Sequence, residues 1–325
     1  MSATDFRLPF EQPIFELQEQ INRLEANEKK TPELRERIRG LRKQLTETTK
    51  SIYNHLDPWE TVKVARHQDR PKFTDYVDLV FDEFVELHGD KFFGDDRALR
   101  TGFAKLDEHK VLVVGHEKGK TLKERNECYF GCAHPEGYRK AMEKMRLAAK
   151  FRLPIISLID TPGAYPGIGA EERGQAQVIA QSMLAMSQLN TPIICVVIGE
   201  GGSGGALGIG VGDRVAILQH AYYSVISPEG CAGILWKSHD HAEKAAQALR
   251  ITAKQLKEMD AVDDLIEEPL GGAHRDHHQT AGRLKMYLIK TLRELLKLSD
   301  DDLLAQRYDK FRRIGHFIEP EAVAT

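Results

Sequence analysis

Two apolar runs, each closed by a glycine-rich stretch, constrain what this 325-residue chain can fold into more than any other feature. The first is Pro154-Ile155-Ile156-Ser157-Leu158-Ile159, followed by Asp160-Thr161-Pro162-Gly163-Ala164-Tyr165-Pro166-Gly167. The second is Ile193-Ile194-Cys195-Val196-Val197-Ile198, followed by Gly199-Glu200-Gly201-Gly202-Ser203-Gly204-Gly205-Ala206. A short apolar run without alternation reads as a strand buried on both faces. Glycines between a strand end and a helix start let a ligand approach the backbone closely. They also leave the first amides of the next helix free to point at an anion. Two such stretches predict a site that holds developing negative charge with main-chain amides and needs no side-chain nucleophile.

The remaining pattern places these stretches in an α/β chain. Ile14, Leu17, Ile21 and Leu24 recur at helical spacing, as do Leu34, Ile38, Leu41 and Leu45, so residues 14–56 read as a helical hairpin. Thr31-Pro32 between the arms reads as an N-cap followed by proline at the first helical position. Each arm has one narrow apolar stripe and must pack on something, either its own domain or a partner subunit. Arg70-Pro71 marks a boundary. Beyond it we expect a helix over 74–88 and strands at 100–106 and 111–116. Helices over 135–150 and 171–188 should then alternate with strands at 154–160, 193–198 and 214–219. A small-residue helix near Gly205 and a strand at Leu265-Ile266 complete the alternation, which implies mostly parallel strands. Residues 300–325 read as a charged surface helix and a loose tail.

Composition excludes several classes. The net charge of −3 gives no push toward nucleic acid, and the basic residues of the first seventy positions interleave with acids as on a solvated helical face. Cys128, Cys132, Cys195 and Cys231 lack zinc-knuckle spacing and suit free thiols in a reducing compartment. No apolar run approaches the roughly 20 residues that span a bilayer, and Met1–Phe6 shows no signal-peptide pattern. A cytoplasmic protein without a membrane partner is expected.

The second stretch also matches two motifs of other chemistry. Gly199-Glu200-Gly201-Gly202-Ser203-Gly204 satisfies G-x-G-x-x-G, but the acid expected about 20 positions on is missing at Leu218-Gln219-His220. Gly201-Gly202-Ser203-Gly204-Gly205 satisfies G-x-S-x-G between a strand and a helix. A serine hydrolase using Ser203, with Asp263, Asp264 or His274 downstream, is therefore the rival reading. It leaves Asp160–Gly167 unexplained. His274, His277 and His278, like His239 and His241, read as solvated loop histidines, and no metal site is expected.

The free amides at the start of the helix near Gly205 are candidates for a backbone oxyanion hole. Gly163, Ala164, Tyr165, Gly201, Gly202 and Ser203 are substrate-binding candidates around it, with Tyr165 as a flat wall. Ser227-Pro228-Glu229 reads as an N-cap with its acid in the first helical turn.

Asp160–Gly167, Gly169-Ala170-Glu171-Glu172-Arg173-Gly174-Gln175, Gly199–Ala206 and Ser227-Pro228-Glu229-Gly230-Cys231 together resemble the alpha subunits of bacterial acetyl-CoA carboxylase carboxyltransferase. The resemblance runs from the hairpin through Pro269-Leu270-Gly271-Gly272-Ala273-His274-Arg275. It implies a crotonase-like spiral of ββα units with an N-terminal helical hairpin extension. The domains would be 1–70 (hairpin), 71–299 (carboxyltransferase) and 300–325 (C-terminal helix and tail). The implied reaction moves a carboxyl group from carboxybiotin, on the biotin carboxyl carrier protein, to acetyl-CoA, giving malonyl-CoA for fatty-acid synthesis. The implied partners are subunit beta in an α2β2 assembly, the carrier protein and biotin carboxylase. No cofactor would be bound covalently to this chain. Biotin would arrive on its carrier, and zinc would sit on subunit beta. Gly204 and Gly205 would face the biotin ureido oxygen. Lys118 and Lys120 would either meet CoA phosphates or be solvated. Cys128-Tyr129-Phe130-Gly131-Cys132 and His277-His278 depart from the family pattern, away from the glycine stretches.

Overall fold

The computed structural model describes residues 6–27 and 31–315. Three helices open the chain: α1 (Gln12–Glu25), α2 (Pro32–Asn54) and α3 (Pro58–Ala65). Thr31 caps α2 as expected, its Oγ1 accepting the Leu34 amide at 3.2 Å. The α2 stripe of Leu34, Ile38, Leu41 and Leu45 is half-buried against α1, so the two arms cover each other. The base of the hairpin docks on its own chain. Tyr53 donates to Glu11 at 2.9 Å, and Arg275 from near the far end of the chain reaches the same carboxylate at 2.5 Å. The expected boundary at Arg70-Pro71 lies inside the packed structure. The Arg70 side chain is fully buried, donating to both Glu268 oxygens at 2.6 and 3.1 Å and to the Ile198 carbonyl at 2.7 Å.

Helix α4 (Phe73–Val80) leads into strand β1 (Asp82–Glu86). The expected helix over 74–88 therefore stops early. Phe81 is extended (φ −111°, ψ 157°), and β1 forms an antiparallel edge with β2 (Leu99–Leu106) through a bulge. Pairing to a sheet edge overrides the helical spacing of the apolar residues. Strands β2 and β3 (His109–His116) form an antiparallel hairpin. Helices α5 (Leu122–Glu127) and α6 (Pro135–Lys150) precede β4 (Ile155–Thr161). The expected helix over 171–188 is broken into α7 (Ile168–Glu172) and α8 (Gln175–Gln188) at Gly174, whose φ of +82° is left-handed. Strand β5 (Ile193–Gly202), helix α9 (Ser203–Leu207), β6 (Arg214–Leu218) and β7 (Tyr222–Ser224) follow. Then come α10 (Pro228–Trp236), α11 (Ala242–Leu249), α12 (Ala253–Glu258), β8 (Asp264–Ile266), α13 (His277–Leu295) and α14 (Asp300–Arg312).

The strands form one sheet in the order β1-β2-β3-β4-β5-β6-β8, with β7 paired to the far end of β5. From β3 onward the pairings are parallel, as the alternation predicts. All of β4 and β5 is buried, which is what their unbroken apolar runs require. The C-terminal helix is more than a surface element. All five N–H donors of buried Arg307 on α14 are used, on both Asp213 oxygens and the carbonyls of Met186, Leu189 and Thr191, at 2.7–2.9 Å. The tail expected after it lies largely outside the described residues. Among the described residues no helix is long and apolar enough to cross a membrane.

Candidate carboxyl-transfer site

Strands β4 and β5 are parallel neighbours, so both glycine stretches leave the same edge of the sheet. In open parallel sheets that edge is where ligands bind. Ile155–Ile159 pair with Ile193–Val197 in simple register. A bulge then brings Thr161 opposite Gly201. The Asp160 carboxylate fills the resulting gap. Its Oδ1 accepts the Glu200 amide at 2.9 Å and lies 2.5 Å from where a Cβ on Gly199 would sit. Only glycine fits at position 199.

The second stretch is less of a loop than its composition predicts. Glu200, Gly201 and Gly202 continue β5 and pair with Tyr222, Tyr223 and Ser224 of β7. The small-residue helix begins at Ser203 and has five residues, so the dipole of a long helix is not available to it. What remains is the amides. Gly204 and Gly205 lie in the first turn of α9, ahead of any intrahelical acceptor, and no side chain caps that turn. Neither amide has a partner among the turn, loop and side-chain hydrogen bonds of the described residues.

The two stretches pack backbone against backbone. A Cβ on Gly202 would lie 2.1 Å from the Pro162 carbonyl oxygen. One on Gly205 would lie 2.5 Å from both the Ala164 nitrogen and the Gly163 carbonyl carbon. Gly204 is different, with Ile179 at 3.7 Å as its nearest neighbour. The first stretch is pinned from within, because Thr161 Oγ1 donates to the Gly163 carbonyl at 2.8 Å and accepts the Gly163 amide at 3.1 Å. Tyr165 is half-buried as a wall, and its ring stacks on His134 at 4.1 Å with Tyr129 edge-on.

Beneath both stretches lies a charge clasp whose parts are far apart in sequence. Lys118 Nζ sits 2.7 Å from Asp160 Oδ1 and 2.6 Å from Glu200 Oε1. Burial works against its charge, but the two carboxylates outweigh it and hold the ammonium above its ordinary range. Arg66 donates to Glu200 at 2.7 Å and to Glu229 at 2.5 Å, and Tyr222 donates to Glu200 at 2.5 Å. Burial pushes the Glu200 carboxyl up, while Lys118 and Arg66 pull it down to about 2. Of the two expectations for Lys118, the solvated one is corrected, since its nearly buried ammonium is held between Asp160 and Glu200. Lys120 is exposed and pairs with Asp75 at 2.5 Å, apart from this group. Pairing signals of this kind cannot be read from spacing. Glu200 was visible only as the acid inside a glycine run.

Ser203 has a left-handed φ of +51°, the backbone of a sharp strand-to-helix turn. Its presumed triad partners are engaged elsewhere. Asp263 pairs with Lys310 at 2.8 Å, Asp264 accepts from Tyr287 at 2.8 Å, and His274 stacks on His67 at 4.1 Å. His274 is also no solvated loop histidine, being nearly buried against Glu11 and His67 with their ligand atoms within 4.8 Å. Arg275 neutralises that Glu11, and His67 already bonds the Phe6 carbonyl and the Asp69 amide, so the group is a bolt for the hairpin. Ser227 caps α10 as expected, accepting the Gly230 amide at 3.1 Å.

A family model described as acetyl co-enzyme A carboxylase carboxyltransferase-like matches residues 7–315. The chain belongs to the acetyl-CoA carboxylase carboxyltransferase family, as an alpha subunit. The alpha subunit of Rhodopirellula baltica is 67% identical over 312 residues, covering 96% of this chain and 98% of that one. Those of Methylococcus capsulatus and Geobacter metallireducens are 52% and 50% identical, covering 96% and 98% of this chain and 98% and 100% of theirs. Solved structures of like fold include a 12S transcarboxylase with methylmalonyl-coenzyme A bound, at TM-score 0.54 and 23% identity, covering 68% of this chain and 42% of that one. A Pseudomonas malonate decarboxylase hetero-tetramer in complex with coenzyme A aligns at TM-score 0.55 and 17% identity, covering 68% and 91%. These carry the fold, which is crotonase-like. The alpha subunit is thus a carboxyltransferase component of acetyl-CoA carboxylase that works with partner subunits, and the serine-hydrolase reading is set aside.

Proposed function

We propose that this chain supplies the carboxyl-donor half of a shared site in which carboxybiotin, on the biotin carboxyl carrier protein, and acetyl-CoA give malonyl-CoA and biotin. When bound, carboxybiotin supplies the carboxyl group: its N–C bond breaks, the ureido oxygen takes the charge, and the nitrogen accepts the proton that acetyl-CoA loses as it becomes malonyl-CoA. The Gly204 and Gly205 amides donate to that oxygen. The observation that carries this reading is that, among the described residues, neither amide has a partner, at the point where two glycine stretches meet. Amides already in place cost no reorganisation as charge develops, and one such donor is worth about 3–4 kcal/mol in rate. Gly163 and Ala164 form the facing rim, Gly201, Gly202 and Ser203 the floor, and Tyr165 the wall. Asp160, Lys118 and Glu200 position the two stretches without touching substrate.

The second oxyanion hole, for the thioester enolate, belongs to subunit beta in an α2β2 assembly, and biotin carboxylase recharges the carrier. The assignment of zinc to subunit beta follows the family resemblance. Cys195 is buried in β5, and the close ligand group among the described residues, Glu11 with His67 and His274, contains no cysteine. The reading places the chain in the cytoplasm, where malonyl-CoA is used for fatty-acid synthesis. The test is malonyl-CoA formation from carboxybiotin and acetyl-CoA. The purified chain alone should give none, and addition of a zinc-ribbon subunit beta should restore turnover. Robust transfer by the isolated chain would contradict the divided site.

A further inference from the structure

A cavity of about 210 Å³ opens beside the first glycine stretch, walled by Pro162 and Glu200 and by four cations, Arg66, Lys72, Lys118 and Arg125. The charges around it do not balance. Lys118 is held by Asp160 and Glu200, and Arg66 by Glu200 and Glu229. Those three carboxylates are thereby used. Lys72 and Arg125 have no carboxylate within 4.0 Å among the described residues. Four cations thus face three anions. The imbalance matters most at Lys72, which is 5% exposed. A nearly buried, unpaired ammonium is costly, and such groups in proteins are normally paired. Burial lowers its pKa to about 8, with Lys118, Arg125 and Arg70 adding to the effect and Asp160 opposing it.

We infer that this cavity is a subsite for one oxyanion, a carboxylate or phosphate group of the acyl-CoA partner, held by Lys72 and Arg125. The inference rests on the carboxyltransferase reading for the identity of that partner. Lys118 and Arg66 contribute field but keep their own carboxylates. Phe130, half-exposed at the rim, shields the group from water and strengthens its attraction to the two cations. Two chemical sources fit. One is the carboxylate that malonyl-CoA has and acetyl-CoA lacks. The other is a phosphate that both carry.

The test uses the complex reconstituted with subunit beta, and the variants Lys72→Met and Arg125→Gln. Lys72→Met keeps the length of the side chain and removes an unpaired buried charge, so it should fold with equal or greater stability. Removing one charge-assisted contact should weaken binding about tenfold or more. Weaker binding of malonyl-CoA with acetyl-CoA unchanged would assign the carboxylate. Equal weakening of both would assign a phosphate. Unchanged affinity for both, in folded and assembled variants, would overturn the subsite. Should the wild-type complex transfer no carboxyl group, the functional reading fails by itself. Inorganic phosphate titrated into the chain and followed by 31P line width then remains the probe. Wild-type broadening lost in Lys72→Met supports the subsite, and identical titrations overturn it.

Discussion

The two glycine stretches differ in composition and in architecture, the first with two glycines and two prolines in eight residues, the second with five glycines and no proline. After Thr161 the first has no strand to pair with, turns at once, and is held by a hydroxyl bonded to its own backbone and by a stacked tyrosine. The second stays extended as far as Gly202 because β7 lies alongside it, and only then turns into α9. Glycine serves different purposes in each. At 199, 202 and 205 it makes room for the first stretch, whereas at 204 a methyl group would meet only Ile179, at an ordinary contact distance of 3.7 Å. A glycine run therefore reports that something lies close to the backbone. Whether that is a ligand or another loop depends on the neighbouring strands.

If a buried clasp joins the two stretches, removing its centre should have the largest effect. Lys118→Met leaves Asp160 without its cation and Glu200 with Arg66 alone. It should cost about 3–5 kcal/mol, measured by urea unfolding of the purified chain. A loss below 1 kcal/mol would mean that backbone packing alone joins the stretches.

Alanine at the two adjacent glycines separates tight packing from ordinary contact. Gly205→Ala forces the Gly163–Ala164 backbone away and should cost about 1–3 kcal/mol, with transfer falling about a hundredfold. Gly204→Ala meets nothing nearer than 3.7 Å and should keep full stability. Equal effects at both positions would erase the distinction.

Acid probes the clasp more gently. The Glu200 carboxyl is depressed from 4.5 to about 2, so its contribution is present above about pH 4.5 and is lost as the pH falls toward 2. By pH 3 the chain should have lost about 2 kcal/mol from this group. Denaturation curves of Glu200→Gln should lack that increment. Parallel pH profiles for variant and wild type would show that Glu200 is not held by charge.

Much of the architecture was legible because it follows from unbroken apolar runs and local caps. The strands expected at 154–160 and 193–198, the Thr31 and Ser227 caps and the helix at 135–150 all depend on neighbours in sequence. The failures share a different cause. The strand at 82–86, the extension of β5 to Gly202 and the burial of Arg307 are set by partners at least 14 residues away. The site divides in the same way. Its amides announce themselves through glycine, but the pairing of Lys118 with Asp160 and Glu200 spans 42 and 82 positions and has no local signal. The same holds for the unpaired Lys72.

The central claim is that bare amides at 204 and 205 carry developing negative charge. The most direct measurement replaces residue 204, and separately 205, by glycolic acid, which exchanges the N–H for an ester oxygen and adds no side chain. Malonyl-CoA formation is then followed in the complex with subunit beta, with assembly checked by size-exclusion chromatography. Turnover should fall by about 10²–10³ in at least one of the two, in a complex that still assembles. Wild-type turnover from both would contradict the assignment.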